Sequence, residues 1–228
     1  MSTPARYYQN VPDYMVDVYD WAYVNPDHAR LLDHRCVVRT LLFGNDGRLM
    51  QAYLDAVQPG MRVWQVAHVY GNLVQRVAQK LGPGGEFHLC DVTPVQVELA
   101  RAKLAGLPQA TVWQADAARF DVGGGYDLVC SFFLLHEVPD DYKRAIVANM
   151  LRQLAPGGRA LFVDYHRPAP WQPIGWLLRG VNHWLEPYAL ALWRHPIRDY
   201  AADADDFVWS QRTLFGGVYQ VVSATRRR

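Results

Sequence analysis

Between residues 62 and 165, short apolar runs alternate with segments of helical periodicity, and no other feature restricts the possible folds as much. Arg62–Ala67, Glu86–Cys90, Thr111–Gln114, Tyr126–Ser131 and Arg159–Asp164 read as strands. Gly71–Leu81 reads as a helix with Leu73, Val74, Val77, Ala78 and Leu81 on one face. Asp140–Leu154 is a second, with Ile146, Val147, Met150, Leu151 and Leu154 inward, stopped by Pro156-Gly157-Gly158. A third starts at Thr93-Pro94-Val95-Gln96, which has the form of a capping box with proline at the first helical position. Val95, Leu99 and Ala102 supply its buried face. Phe207–Phe215 and Val218–Ala224, joined by Gly216-Gly217, read as a hairpin.

These elements predict an α/β, Rossmann-like fold: a mostly parallel seven-stranded sheet with a C-terminal antiparallel hairpin. Residues 1–58 form a helical N-terminal cap, and residues 59–228 form the core, with an aromatic lid insertion at about 168–198. A chain of 228 residues holds one such α/β domain. Its net charge of +1 gives no reason to expect a nucleic-acid partner. Cys36, Cys90 and Cys130 stand far apart, as reduced thiols inside a cell do. Met1 to Tyr14 hold no apolar signal core, and no run of 18 uncharged apolar residues exists, so neither a secretory signal nor a membrane span is expected. Arg226, Arg227 and Arg228 read as a solvated tail or as a contact to anionic lipid.

In open α/β sheets, ligands bind beyond the carboxyl ends of the strands. Asp91 ends the second strand, 20 residues after Gly71, in the place of an acid that accepts from a ribose diol. Asp116 follows the third strand, where it can accept the amine of an adenine. Each acid alone also suits an N-cap or a solvated surface.

The strand–loop–helix, Asp91, Asp116, the Tyr126-Asp127-Leu128-Val129 strand and the Leu154-Ala155-Pro156-Gly157-Gly158-Arg159 turn resemble the class I S-adenosylmethionine-dependent methyltransferases. Tyr19-Asp20, His34-Arg35 and the Gly216-Gly217 strand are similar to the ubiquinone/menaquinone C-methyltransferases within that group. The resemblance implies cofactor contacts from Gln65, Ala67, His68, Val69, Tyr70, Gly71, Asp91, Val92, Asp116, Ala117 and Phe132.

One departure is informative. The family loop after the first strand is an acid followed by Gly-x-Gly-x-Gly, whereas this chain reads Gln65-Val66-Ala67-His68-Val69-Tyr70-Gly71. A β-branched Val69 resists positive φ, so the loop should take another shape and push side chains toward the methionine end of the cofactor. Without the acid, the cofactor's ammonium loses its counter-charge. This loop, together with Tyr7-Tyr8 and Val11-Pro12-Asp13-Tyr14, resembles the rhodoquinone-biosynthesis methyltransferase-like family. That resemblance implies S-adenosylmethionine as amine donor to ubiquinone, replacement of a ring methoxy group, and a manganese (Mn2+) requirement.

Candidates for the acceptor chemistry are His136 and Asp164, with Tyr8 and Tyr19 as donors to quinone or cofactor or as plain packing. His136, Asp164 and His166 are the candidate metal ligands. Asp164 and His166 share a face only if the strand continues, and His136 equally suits a structural or cofactor-side role. Residues 171–195, with Trp171, Trp176, Trp184 and Trp193, form either an interfacial lid over a lipophilic quinone or an aromatic core helix. The expected location is cytoplasmic, peripheral to the inner membrane. The alternatives to amine transfer are methyl transfer to a quinol or other lipophilic phenol, and a non-catalytic quinone- or partner-binding protein.

Overall fold

The computed structural model describes residues 5–184 and 187–227. Leu185 and Glu186 of the insertion and Arg228 of the basic tail lie outside the described residues, as do the side chains of residues 181–184. Two compact units make up the chain, one ending at Ala117 and one beginning at Ala118.

The first unit opens with helical segments: α1 (Asp13–Tyr19), a π-helical turn (Asp20–Val24), α2 (Pro26–Leu32), α3 (Arg35–Leu41) and α4 (Asp46–Leu54). Asn25 caps α2 by accepting from the backbone N–H groups of Asp27 and His28, with Pro26 at the first helical position. Tyr7, Val24, Ala29 and Val95 form a buried cluster, with Tyr8, Val11, Tyr70 and Leu99 packed against it. Strands β1 (Arg62–Val66), β2 (Glu86–Asp91) and β3 (Ala110–Gln114) then pair in parallel, placing Val66 beside Cys90 and Asp91 beside Gln114. Helix α5 (Leu73–Leu81) buries the five residues expected of it. It starts two residues late because Gly71, at φ +85°, is still in the loop.

Helix α6 (Pro94–Leu104) differs more from its expectation. Thr93 occupies the N-cap with extended backbone, but no capping box forms. The Thr93 hydroxyl donates to the Asp91 carboxylate instead, a stronger charge-assisted bond, and the Gln96 side chain turns toward the loop after β1. Val97, Ala100 and Leu104 are buried, while Ala102, expected on the buried face, is exposed.

The second unit holds β4 (Tyr126–Phe132), α7 (Asp140–Arg152), β5 (Leu154–Tyr165), α8 (Ile174–Trp184), α9 (Ala191–Arg194), β6 (Phe207–Leu214) and β7 (Tyr219–Arg226). Here β4 and β5 are parallel, while β5–β7 and β7–β6 are antiparallel. Leu154, expected as the last inward residue of α7, belongs to β5 opposite Tyr126, and the Pro156-Gly157-Gly158 stretch lies in the shifted register that follows. The sheet has seven strands in the order β3-β2-β1-β4-β5-β7-β6. Cys90 and Cys130 are buried and Cys36, on α3, is exposed. Among the described residues no helix is long and apolar enough to cross a membrane.

Candidate cofactor and acceptor sites

In the first unit the residues expected at the cofactor gather at the carboxyl end of β1. Gln65 is fully buried; its Nε2 donates to the Ala67 carbonyl at 3.0 Å, while its Oε1 is buried without a hydrogen-bond partner among the described residues. The backbone turns at Ala67, φ +68°, and Val69 is not among the residues of positive φ. The positive φ falls at Ala67, one glycine position before Val69, where alanine tolerates the left-handed region at a cost of about 1 kcal/mol.

His68 fills the space that follows. Its backbone N–H donates to Asp91 Oδ2 at 2.8 Å, and its ring sits between Gln96 Oε1 at 2.8 Å from Nδ1 and Lys103 Nζ at 3.0 Å from Nε2. A lysine ammonium only donates, so Nε2 accepts and Nδ1–H donates to Gln96. Burial, reinforced by the Lys103 charge, holds the His68 pKa down to about 3. Gln96 Nε2 donates to the Tyr70 hydroxyl at 2.8 Å, and that hydroxyl donates to the Ala22 carbonyl at 2.6 Å. Lys103 also donates to Asp33 and, at 3.3 Å, to the Val69 carbonyl. Asp33 accepts the Gly71 N–H at 2.8 Å. The side chains expected to intrude near the methionine end are therefore tied into a buried polar network.

Asp91 Oδ2 takes the His68 N–H, and Oδ1 takes the Thr93 N–H at 2.9 Å and hydroxyl at 2.8 Å. Burial pushes its carboxyl up, against the pull of these bonds and of the Val92 N–H. A carboxylate offers about four lone-pair sites, and the His68, Thr93 and Val92 donors take them, so a ribose hydroxyl would have to share or displace one of these bonds. The Ala115 N–H donates to the Asp91 carbonyl, which sets half-buried Asp116 and buried Ala117 just beyond the same strand ends.

Tyr8 and Tyr19 are occupied within the N-terminal helices. The Tyr8 hydroxyl donates to Asp20 at 2.9 Å, and the fully buried Tyr19 packs its ring 5.9 Å from that of Tyr23.

The second unit carries its own cluster at the carboxyl ends of β4 and β5. Asp164 Oδ1 accepts from His136 Nδ1 at 2.8 Å and from the Tyr165 N–H at 2.7 Å, and Oδ2 accepts from the Leu135 N–H at 2.9 Å. Both side chains are nearly inaccessible, at 5% and 1% exposure. The bond to Asp164 fixes the tautomer, so neutral His136 carries its lone pair on Nε2, 3.6 Å from Glu137 Oε1. Tyr165 and Phe133 stand edge-on to the imidazole, with ring centroids at 4.8 and 5.8 Å. Phe133 has a strained φ of +54°. Buried Phe132 packs at 5.3 Å from Phe133 within this unit. The Tyr219 hydroxyl on β7 is buried without a partner among the described residues, and burial pushes its phenol above the usual range.

His166 does not join this cluster. Pairing with β7 continues past Asp164, but the His166 Nδ1–H donates to the Gly217 carbonyl at 2.9 Å, drawing the ring to the hairpin turn. The three expected manganese ligands are therefore not brought together. No group of three or more His, Cys, Asp or Glu side chains arranged for an ion occurs among the described residues. The sequence reading missed Asp33, Gln96, Lys103, Phe133 and Tyr219. Gln96 had a local signal, the Thr93-Pro94-Val95-Gln96 capping pattern, which pointed to the helix start and not to His68.

A methyltransferase-domain family model matches residues 63–158. An uncharacterized methyltransferase of Synechocystis is 32% identical over 154 residues, covering 66% of this chain and 68% of that protein. The ubiquinone/menaquinone biosynthesis C-methyltransferase UbiE of Ectopseudomonas mendocina is 32% identical over 141 residues, and the match spans 58% of this chain and 54% of its relative. The solved structure of a TehB-like SAM-dependent methyltransferase from Corynebacterium glutamicum has the same fold, with TM-score 0.58 at 14% identity over 89% of this chain and all of that one. On these matches and the strand order, the chain belongs to the class I S-adenosylmethionine-dependent methyltransferases and is related to the quinone C-methyltransferases.

Proposed function

We propose that this chain transfers the amine, rather than the methyl group, of S-adenosylmethionine to a ubiquinone-like quinone, giving an amino-quinone of the rhodoquinone type. One observation carries the reading: a neutral amide, Gln65, stands where the family has its acid, with a buried and unpartnered Oε1. A carboxylate within 4–6 Å favours the ammonium form by about one to three pKa units, and an amide oxygen accepts an amine N–H without that bias. The bound donor then supplies a free amine as nucleophile. A carbon–nitrogen bond forms at a methoxy-bearing ring carbon, the carbon–oxygen bond breaks, and methanol leaves with a proton from the amine. Release of the amino-quinone then balances as an elimination: the nitrogen–Cα bond breaks, a Cβ proton is lost, a Cα–Cβ double bond forms in the former donor, and the nitrogen gains a proton.

Asp91 and Asp116 are assigned to the ribose and adenine of the donor. His136, oriented by Asp164, is assigned as base on the acceptor side. No step runs through a metal. Trp171, Trp176 and Leu177 are exposed, and Arg179 lies 5.6 Å over the Trp176 ring. This surface supports docking of the insertion at a membrane that holds the lipophilic quinone, from its cytoplasmic side.

The His136–Asp164 pair also favours a second reading, methyl transfer to a quinol, since the same base suits a phenolic proton. Donor labelled with nitrogen-15 at the amine and deuterium at the methyl separates the two. Nitrogen-15 in the extracted quinone is the expected result; deuterium without nitrogen-15 would replace amine transfer by methyl transfer.

A further inference from the structure

We propose that Lys103 is the positioning residue of the donor loop, holding His68 and Val69 from α6 with Asp33 of the N-terminal helices as its counter-ion. The inference rests on reading the loop after β1 as the donor site. An ammonium has three N–H bonds to place, and the three acceptors of Lys103 are the Asp33 carboxylate, His68 Nε2 and the Val69 carbonyl. Two of the three are loop groups, so the side chain does more than pin the helical cap to α6. Asp33 closes the arrangement by also accepting the Gly71 N–H, and both side chains are largely buried, at 12% and 15% exposure.

The bulky side chains at the variable positions of this loop therefore have matching partners elsewhere in this unit. His68 answers Lys103 and Gln96, and Tyr70 answers Gln96 and the Ala22 carbonyl. The charged group facing the His68 ring is Lys103, balanced by Asp33; Asp91 accepts only the His68 backbone N–H. An arginine does not reproduce the cluster, because its planar fork cannot aim three donors tetrahedrally.

The test measures S-adenosylmethionine binding by calorimetry and His68 titration by NMR in the full chain, for wild type, Lys103→Met, Lys103→Arg and Asp33→Asn. Loss of a charged hydrogen-bond hub should weaken donor binding by about tenfold or more in Lys103→Met, with incomplete rescue in Lys103→Arg. The His68 pKa should rise from about 3 in Lys103→Met, as a neighbouring positive charge is removed. Should Lys103→Met fail to fold, Asp33→Asn carries the test through weaker donor binding. Donor affinity within twofold of wild type in the folded variants, with His68 titrating as before, overturns the proposal, and so does a wild type that binds no donor. Binding and titration are independent of which group is transferred, so a methyl-labelled product would sink amine transfer and leave this result standing.

Discussion

Each unit of the molecule buries a histidine, and the two are put to opposite uses by the charge beside them. His68 accepts a proton-rich neighbour, Lys103, and is held neutral as a fixed acceptor. His136 donates to a carboxylate, Asp164, which would stabilise the charge of a proton taken up on its other nitrogen. A histidine in a sequence says little by itself: the sign of one partner, contributed from a distant part of the chain, separates the fixed acceptor at His68 from the base proposed at His136.

The largest test of this contrast removes the carboxylate. Asp164→Asn should cut turnover by about a hundredfold or more, the scale of a lost oriented general base, while donor affinity changes little. Unchanged turnover by mass spectrometry would make His136 a packing group and erase the difference between the two histidines.

The next concerns stability against pH. The folded His68 pKa, about 3, lies below its ordinary value, so the unfolded chain binds more protons between those limits. The stability is therefore complete above about pH 6.5 and declines as pH falls toward 3. His68→Asn should flatten that decline by up to about one proton in the slope, read from urea midpoints across the range. Parallel curves for the two proteins would mean that His68 is charged in the fold.

A third test sharpens the donor side. Gln65→Glu places a carboxylate beside the amine and should move the alkaline rise of amine transfer upward by about one pH unit or more. No shift would separate Gln65 from the amine. The smallest effect is expected at Ala67→Gly, where relief of the positive φ should stabilise the fold by about 0.5–1 kcal/mol in chemical denaturation. Destabilisation would show that the Ala67 methyl group packs usefully.

The sheet was legible because its strands carry dense apolar runs and its helices a clear 3.6-residue period, so β1, β2, β4 and the hairpin fall within a residue or two of their expected ends. Boundaries moved where one residue had two uses. Gly71 suits a helix start until its φ of +85° is needed by the loop, and Leu154 suits a helix face until it pairs with Tyr126. The same competition undid the capping box, since Thr93 found a charged acceptor in Asp91. The site was legible as single residues at strand ends and not as partnerships. Asp33 and Lys103 lie 70 positions apart, and no local pattern announces that they meet. His136 and Asp164 were both named, yet His166 looked as good a companion until the Gly217 carbonyl drew it away.

The distribution of the three cysteines gives the chain a ready attachment point. Cys90 is buried with its thiol pushed up to about 12, Cys130 is buried as well, and Cys36 faces solvent. A maleimide dye or nitroxide added to the native sequence should therefore react at α3 alone, three residues after Asp33. The protein can report on its own loop in solution without a single engineered substitution.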